Sequence, residues 1–236
     1  MFDLNKQKLL IIAPHPDDEI IGCGGLIKRI KDEGGKVYVL YMTVGDTKDF
    51  SQKGFSSADE RLKEIKAVAR FLKIDGWDIA FPGNDYHLKL DLLGQKALMD
   101  KIERESKVSV EKIKPTVLAF PSSDSYNQDH RVVAEATHAS LRPASQNNKH
   151  ILETVLIYEE PADGWTLKVG FEPNFFVPLT SSQLNAKITA LKLYKSQLRS
   201  SPDLRSPEIL KVFAKARGAL SGCQLAEGYR NLRIIT

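Results

Sequence analysis

The residues best able to do chemistry form two short clusters in this sequence. The first is Pro14-His15-Pro16-Asp17-Asp18-Glu19, and the second is Asn127-Gln128-Asp129-His130. An imidazole and carboxylates within so few residues can supply metal ligands and a base. A catalytic zinc usually takes three protein ligands and keeps one position for water. His15, Asp18 and His130 are therefore candidate ligands for one metal ion.

Both clusters lie where an apolar segment of strand length ends and a segment with helical spacing begins. The first follows Lys8 to Ala13, and the second follows Thr116 to Phe120. The same alternation repeats along the chain and indicates a mainly parallel sheet with right-handed crossovers. The predicted strands are 8–13, 36–43, 77–81, 116–120 and 152–158, and the predicted helices are 19–32, 58–72, 91–105, 129–141, 182–198 and 207–220.

This pattern predicts an α/β fold with a Rossmann-like sheet of strand order 3-2-1-4-5 and helices on both faces. Strands one and four are then neighbours whose connections leave to opposite faces, so a crevice opens between their loops. The two clusters would face each other across that crevice. We expect one domain over residues 1–236, with a Rossmann-like core at 1–150 and a C-terminal helical appendage at 151–236.

The sequence resembles the LmbE-like or PIG-L family of N-acetylglucosamine deacetylases. That family is marked by an Ala-His-Pro-Asp-Asp-Glu segment and a later His-x-Asp-His segment, which correspond here to the two clusters. Arg61 and Glu64 look like the family's Arg-x-x-Glu element, and Asp85 falls near its substrate-contacting acid. The resemblance extends over most of the chain, and its first motif is the most specific part.

The resemblance implies that His15, Asp18 and His130 bind Zn²⁺ and that Asp17 is the general base. A metal lowers the pKa of its bound water towards about 7, and a carboxylate that is not a ligand can then take the proton. The swapped assignment, with Asp18 as base and Asp17 as ligand, stays open. Many relatives have a histidine where this chain has Asn127; that histidine polarises the carbonyl and is supported by the acid at Asp129. The Asn127 amide can still donate a hydrogen bond.

Other polar residues have a functional and a structural interpretation. Arg61 could bind a substrate carboxylate, or could form an ordinary solvated helix pair with Glu64. Asp85 could bind sugar hydroxyls, or could simply belong to an Asn84-Asp85 turn. We expect His87, His138 and His150 to lie outside the site. Three glycines lie inside the first helix and are better explained by close packing than by nucleotide binding: Gly22, Gly24 and Gly25.

The predicted function is hydrolysis of an N-acyl group from an amino-sugar substrate by metal-activated water. A non-haem iron oxygenase is an alternative, since Fe²⁺ in such enzymes also uses two histidines and one carboxylate. A non-catalytic sugar- or lipid-binding homologue is a further alternative, in which Asn127 would record lost chemistry. No P-loop and no G-x-S-x-G segment occurs in the sequence, so nucleophilic serine catalysis is not supported.

Charge and composition suggest partners and location. The net charge is +4, and ten basic but only three acidic residues lie between Lys187 and Arg233. That segment could meet an anionic, nucleotide- or lipid-linked substrate, or could be a solvated helix surface. Nucleic acid is not an expected partner, and a homo-oligomer is left open.

We expect a cytoplasmic protein without a membrane span, because Met1 to Lys8 reads as a polar lead-in and the apolar runs are short. Cys23 and Cys223 are interpreted as buried and unpaired.

Overall fold

Five parallel strands form the centre of a seven-stranded sheet, and two antiparallel strands extend it at one edge. The computed structural model describes residues 5, 7–49, 51, 53–145 and 147–235, so most of the polar lead-in lies outside the described residues. The strands are β1 (Lys8–Ala13), β2 (Lys36–Val44), β3 (Thr47–Lys48), β4 (Phe55–Ser56), β5 (Gly76–Pro82), β6 (Val117–Phe120), β7 (Thr154–Tyr158), β8 (Phe175–Pro178) and β9 (Ala226–Ile234).

Helices cover both faces of this sheet. Short 3-10 turns cover Leu90–Leu92, Pro161–Gly164 and Lys195–Gln197, and a π-helical turn at Lys101–Glu105 continues the third helix. The α-helices are α1 (Asp18–Asp32), α2 (Ala58–Leu72), α3 (Gln95–Asp100), α4 (Val110–Ile113), α5 (Gln128–Ser140), α6 (Ser181–Leu193) and α7 (Pro207–Leu220).

The strand order of the sheet is β5-β2-β1-β6-β7-β9-β8. Its five parallel strands reproduce the predicted order 3-2-1-4-5, so that prediction is confirmed. Strand β1 is buried on both faces, since Leu9 and Ile11 pack with α1, α2 and α6, whereas Leu10 and Ile12 pack with α3 and α5. Alternate residues of one strand thus belong to two apolar layers.

The C-terminal third contains more strand than the sequence predicts. Helices α6 and α7 are close to their predicted positions, but β9 pairs antiparallel with β7, and β8 pairs with β9. Residues 226–234 read Ala-Glu-Gly-Tyr-Arg-Asn-Leu-Arg-Ile, a polar pattern with a glycine that does not indicate a strand. The segment is therefore partly an extension of the central sheet rather than a purely helical appendage.

The glycines of α1 allow close packing, as predicted. A methyl group at Gly22 would lie 2.4 Å from Cδ2 of Tyr158 on β7. At Gly25 it would lie 2.5 Å from Leu179 and 2.9 Å from the carboxyl carbon of Glu227. That carboxylate accepts hydrogen bonds from the backbone N–H groups of Gly25 (2.8 Å) and Leu26 (2.7 Å). The C-terminal strand β9 is thus bonded directly to the helix that begins at the first cluster.

We expect Gly22→Ala to lower the free energy of unfolding by about 1–3 kcal/mol, because the added methyl group overpacks a rigid interior. Urea titration followed by circular dichroism measures this change. Gly170→Ala is the matched control, since a methyl group there meets nothing within 4 Å. Equal stability of the two variants would contradict the packing argument.

Cys23 is buried and Cys223 is only partly buried, which corrects the expectation that both are buried. Both thiols are free, as predicted. Among the described residues, no helix combines the length and the apolar character that crossing a bilayer requires.

Candidate metal and reaction centre

The first cluster forms the tight connection between β1 and α1. Asp17 caps α1 with φ 100° and ψ −27°, a left-handed conformation that is strained for any residue other than glycine. Its carbonyl accepts hydrogen bonds from the N–H groups of Ile20 (3.0 Å) and Ile21 (2.9 Å). The connection therefore turns sharply at Asp17 and directs the neighbouring side chains to the carboxyl edge of the sheet.

The second cluster opens α5 after β6, the strand next to β1. Asn127 caps α5, and its Oδ1 accepts the backbone N–H of Asp129 at 2.9 Å. The two clusters meet, because the ring centroids of His15 and His130 are 5.4 Å apart. The convergence predicted from strand adjacency is thus observed.

His15, Asp18 and His130 each present a ligand atom, and these atoms lie within 4.8 Å of one another. Oδ2 of Asp18 lies 3.4 Å from Nδ1 of His15 and 3.2 Å from Nε2 of His130. All three residues are buried. Asp18, rather than Asp17, lies between the imidazoles, which supports the first of the two assignments.

The donor set of this triad fits a divalent cation. Both ring nitrogens of buried His130 lack a hydrogen-bond partner among the described residues. A buried polar atom without a partner is costly, so such an atom beside a carboxylate and a second imidazole is expected where a cation binds. Two imidazole nitrogens and one carboxylate oxygen are ligands that zinc and iron(II) both accept.

Charges within the triad affect its ionisation. Burial by itself would raise the pKa of Asp18, but the charges of the neighbouring His130 and His15 bring it well below its usual range. Burial lowers the pKa of His15, but the hydrogen bonds to Asp129 and Asp18 outweigh burial and raise it. The site therefore favours an ionised carboxylate next to its imidazoles.

Asp129 lies behind the triad rather than in the reaction pocket. Its Oδ2 is 2.9 Å from Nε2 of His15, and its Oδ1 accepts the backbone N–H of Leu90 at 2.9 Å. The side chain is fully buried. The family resemblance implies that Asp129 supports the residue at position 127; in the structure its carboxylate bonds His15, a candidate ligand, and is placed to orient that ring.

Glu160, after β7, is a second acid behind the triad that the sequence analysis missed. Its Oε1 lies 3.9 Å from Nδ1 of His130, and the residue is 3% exposed. Burial and the neighbouring charges of Asp18 and Asp163 raise its pKa well above the ordinary value. No local motif marks this position; only the pairing of β6 with β7 brings it to His130.

Asp17 lines the pocket while remaining outside the triad. Its backbone N–H donates to Oε2 of Glu19 at 3.0 Å, and Glu19 in turn accepts hydrogen bonds from the hydroxyls of Tyr41 (3.1 Å) and Tyr194 (2.6 Å). Burial raises the pKa of Glu19 to about 8. Burial also raises the pKa of Asp17, against the opposing charge of Arg205. The buried Glu19 carboxylate therefore stabilises the strained turn through the backbone N–H of Asp17.

Arg205 precedes α7 and contacts both aspartates of the first cluster. Its Nη2 lies 2.8 Å from Oδ1 of Asp18 and 3.3 Å from each carboxylate oxygen of Asp17. The sequence analysis missed this residue and counted it only among the basic residues of the C-terminal segment.

Other basic residues of the C-terminal segment also pair with carboxylates, namely Lys187 with Glu227, Arg199 with Asp49 and Asp203, Arg217 with Glu159, and Arg230 with Asp124. Many of these basic groups are thus neutralised internally, which weakens both the anionic-partner and the solvated-surface interpretations.

Arg61 is 2% exposed, so the solvated helix pair is wrong. Its Nη1 donates to Oγ1 of Thr47 at 2.9 Å, and its Nη2 donates to the carbonyl of Pro16 at 2.9 Å. Glu64 accepts instead from the N–H (2.7 Å) and the hydroxyl (2.6 Å) of Ser196. Arg61 lines the pocket, yet one of its donors holds the loop of the first cluster in place and another holds Thr47 on β3.

His87 lies closer to the site than predicted. Its ring packs edge-on against His15, with centroids 5.6 Å apart. Oγ1 of Thr47 accepts a hydrogen bond from Arg61, so the Thr47 hydroxyl can donate its own hydrogen to Nε2 of His87 (2.8 Å). Nδ1 of His87 then donates to Oγ1 of Thr43 (3.0 Å). Burial lowers the pKa of His87 to about 3, which keeps the ring neutral. His87 is thus a structural neighbour of the triad and not part of it.

The remaining candidates do not line the pocket. Asp85 is exposed. Its neighbour Asn84 accepts the backbone N–H of Asp46 at Oδ1 (2.7 Å) and donates from Nδ2 to the Asp46 carboxylate (3.1 Å). His138 is exposed, and His150 lies 2.6 Å from the carbonyl of Pro115. These positions agree with the turn interpretation of Asp85 and with the prediction for the two histidines.

A pocket of about 210 Å³ opens onto His15 of the triad and onto Asp17. It is large enough for a small polar group together with water, and its wall combines an imidazole, carboxylates, guanidinium groups and an amide. Because Oδ1 of Asn127 is used in capping, its Nδ2 is the atom that can donate into the pocket. The residues that line it include His15, Asp17, Arg61, Tyr126, Asn127 and Arg205.

Comparison with known proteins identifies relatives that cover this centre. The profile of the PIG-L family, described as GlcNAc-PI de-N-acetylase, matches residues 10–141. A diacetylchitobiose deacetylase of Thermococcus kodakarensis is 29% identical over 237 residues, covering 95% of this chain and 82% of the relative. A probable N-acetyl-alpha-D-glucosaminyl L-malate deacetylase 2 of Bacillus cereus is 24% identical over 199 residues, covering 81% of this chain and 84% of the relative.

Solved structures share the fold. The N,N′-diacetylchitobiose deacetylase from Pyrococcus horikoshii superposes with a TM-score of 0.69 at 23% sequence identity, covering 98% of this chain and 87% of that chain. At this identity the likeness concerns the arrangement of strands and helices. The matched profile, in contrast, includes both clusters that build the triad.

Proposed function

The chain belongs to the PIG-L family, and from that membership we propose that it is a divalent-metal-dependent hydrolase that removes an N-acyl group from an amino sugar. Zn²⁺ is the first candidate metal, and Fe²⁺ is the second. The observation that carries the proposal is the buried cluster of His15, Asp18 and His130 beside the pocket-lining carboxylate of Asp17. The deacetylases of Thermococcus and Bacillus, which are named for N-acetylated sugars, support this choice of substrate.

A bound divalent cation would lower the pKa of a water molecule at the open position and polarise the amide carbonyl. Asp17 accepts a proton from the attacking water at a carboxylate oxygen. The amide of Asn127 donates from Nδ2 to the carbonyl oxygen as negative charge develops there. The C–N bond then breaks, and Asp17 returns the proton to the leaving nitrogen, so that a carboxylic acid and a free amine are formed.

Three residues support these groups without touching the reacting atoms. Asp129 orients His15, and Arg61 holds the carbonyl of Pro16. Arg205 occupies Oδ1 of Asp18, which leaves Oδ2 directed at the two imidazoles. They are positioning residues, since each acts through another side chain or through the loop.

Release of acetate from an acetylated amino sugar tests the proposal. We expect N-acetylglucosamine or N,N′-diacetylchitobiose to yield acetate and a free amine under anaerobic conditions in the presence of zinc. We also expect chelation to abolish turnover and added metal to restore it. Product that requires oxygen and contains no acetate would overturn the hydrolase in favour of an iron oxygenase. Metal binding without turnover on a panel of acetylated sugars would favour a non-catalytic binding protein.

A further inference from the structure

Two buried atoms without hydrogen-bond partners face each other behind the triad. Nδ1 of His130 and Oε1 of Glu160 lie 3.9 Å apart, and neither has a hydrogen-bond partner among the described residues. Both residues are buried. A ring nitrogen can donate and a carboxylate oxygen accepts, so each atom can satisfy the other. A hydrogen bond between them requires the two side chains to approach by roughly 1 Å from the observed distance.

The second nitrogen of the His130 ring determines what Nδ1 has to do. Nε2 lies 3.2 Å from Oδ2 of Asp18, so it is the nitrogen that faces the triad. A metal-binding nitrogen needs a free lone pair, and the hydrogen of a neutral His130 ring then sits on Nδ1. A buried N–H without an acceptor is costly. The ligand geometry therefore requires an acceptor on the side of the ring where Glu160 lies.

The other imidazole of the triad shows the same arrangement in completed form. Nδ1 of His15 faces the triad, 3.4 Å from Oδ2 of Asp18. Its Nε2 lies 2.9 Å from Oδ2 of the buried Asp129. Each imidazole thus directs one nitrogen at Asp18 and the other at a buried carboxylate. Such a pairing fixes the tautomer and the ring orientation of a metal-binding histidine.

The backbone holds Glu160 beside the His130 ring. The residue follows β7, which is paired with β6 on one side and β9 on the other. Its carbonyl accepts the N–H of Asp163 at 3.0 Å, which begins a 3-10 turn. Neighbouring residues of an extended chain point to opposite sides. Accordingly, Glu159 accepts a hydrogen bond from Nε of Arg217 at 2.8 Å, whereas Glu160 is directed at His130.

Two nearby polar groups do not account for the buried carboxylate of Glu160. Arg205 contributes a positive charge, but its Nη2 contacts the two aspartates of the first cluster. Its buried Nε is also unpartnered within the described part of the chain. Asp163 is a second buried acid near His130, and the hydroxyl of Ser125 bonds it instead. Oε1 of Glu160 is thus available to His130.

We propose that Glu160 is a positioning residue for His130. Its Oε1 accepts the Nδ1–H of the ring, which fixes the tautomer and directs the lone pair of Nε2 at the triad. The proposal rests on the proposed function, in which His130 is a metal ligand. Glu160 touches neither substrate nor metal and acts only through the imidazole.

Competition with a chromophoric chelator measures Zn²⁺ affinity without any substrate. We expect Glu160→Met to weaken Zn²⁺ binding about 10- to 100-fold, because methionine has a similar length but offers the ring N–H no carboxylate. Glu160→Gln keeps an acceptor oxygen, so we expect it to restore most of the affinity. Glu159→Gln is the matched control, since this adjacent acid pairs with Arg217, and we expect it to leave the affinity unchanged. Equal affinity of Glu160→Met and the parent, or equal losses in Glu160→Met and Glu159→Gln, would overturn the proposal.

Nuclear magnetic resonance of the imidazole N–H groups reports on the hydrogen bond itself. In the Zn²⁺-loaded parent we expect the Nδ1–H of His130 to resonate downfield and to exchange slowly with water, as for an N–H bonded to a carboxylate. Glu160→Met should shift this signal upfield and speed its exchange, with an unchanged circular dichroism spectrum. If Asp163→Asn removes the downfield signal and Glu160→Met does not, Asp163 is the acceptor and the assignment to Glu160 is wrong.

These measurements separate this proposal from the proposed function. A parent protein that binds no Zn²⁺ overturns both. A parent that binds Zn²⁺ and releases acetate, while Glu160→Met binds the ion as tightly, leaves the hydrolase intact and removes only the positioning role. Zn²⁺ binding that depends on Glu160, in a protein that hydrolyses no acetylated sugar, supports the positioning role while the proposed hydrolysis fails.

Discussion

Replacing Asp17 with asparagine should lower kcat by about 10²- to 10⁴-fold, the range expected when a general acid–base is lost. The metal content should not change, because Asp17 lies outside the triad of His15, Asp18 and His130. The replacement is nearly isosteric, so the strained turn at φ 100° should persist. Steady-state kinetics of acetate release and metal analysis of the same preparation measure both quantities.

The control for Asp17→Asn is Asp78→Asn. Asp78 also accepts hydrogen bonds, from the hydroxyl of Ser106 (2.9 Å) and the N–H of Lys107 (2.8 Å), but it lies on β5 away from the pocket. A similar loss of activity in both variants would show that general destabilisation, rather than proton transfer, explains the effect. An Asp17→Asn enzyme that keeps full kcat would remove the assigned base from the mechanism.

Replacing Arg205 with alanine should weaken metal binding or lower kcat/KM by about 10- to 100-fold, as for other groups that orient metal ligands. The guanidinium bonds Oδ1 of Asp18, so its loss lets that carboxylate rotate away from the two imidazoles. It also leaves Asp17 and Asp18 without the positive charge that lies between them. Competition titration against a chromophoric chelator measures metal affinity independently of turnover.

Two variants sharpen the Arg205 test. Arg205→Lys keeps the positive charge but lacks the planar fork, so we expect it to restore only part of the metal affinity. Arg217→Ala removes a guanidinium of α7 that pairs with both carboxylate oxygens of Glu159, away from the reaction pocket. If Arg217→Ala weakens metal binding as much as Arg205→Ala, the positioning role fails. The positioning role of Arg205 would also be wrong if Arg205→Ala changed neither the metal affinity nor kcat/KM.

Asn127 shows how one departure from the family pattern can be accommodated. Its side chain has two functional ends, and the oxygen caps α5 through the N–H of Asp129. The side-chain nitrogen Nδ2 is then left to donate a hydrogen bond to the substrate carbonyl in the proposed mechanism. An amide cannot protonate a leaving amine at neutral pH, so in the proposed mechanism Asp17 both accepts and returns the proton.

Much of the fold could be predicted because strands β1, β2, β5, β6 and β7 are short apolar runs separated by helical patterns. Parallel sheets place the carboxyl ends of neighbouring strands at one edge, so two motifs at the ends of β1 and β6 had to converge. The convergence of the three candidate ligands therefore followed from the sequence. Strands β8 and β9 did not, because β8 has only four residues and β9 carries Gly228 and a buried Glu227 that accepts hydrogen bonds from α1.

The orientation and surroundings of the triad were decided only by the tertiary structure. Arg205 reaches Asp18 across 187 positions of sequence, and Asp129 reaches His15 across 114. Local composition encodes which side chains are present at a strand end, but not which partner each carboxylate oxygen takes once several charged groups are buried together. Those partners follow from long-range packing, because a buried charge must find a counter-charge or a hydrogen bond wherever the folded chain supplies one.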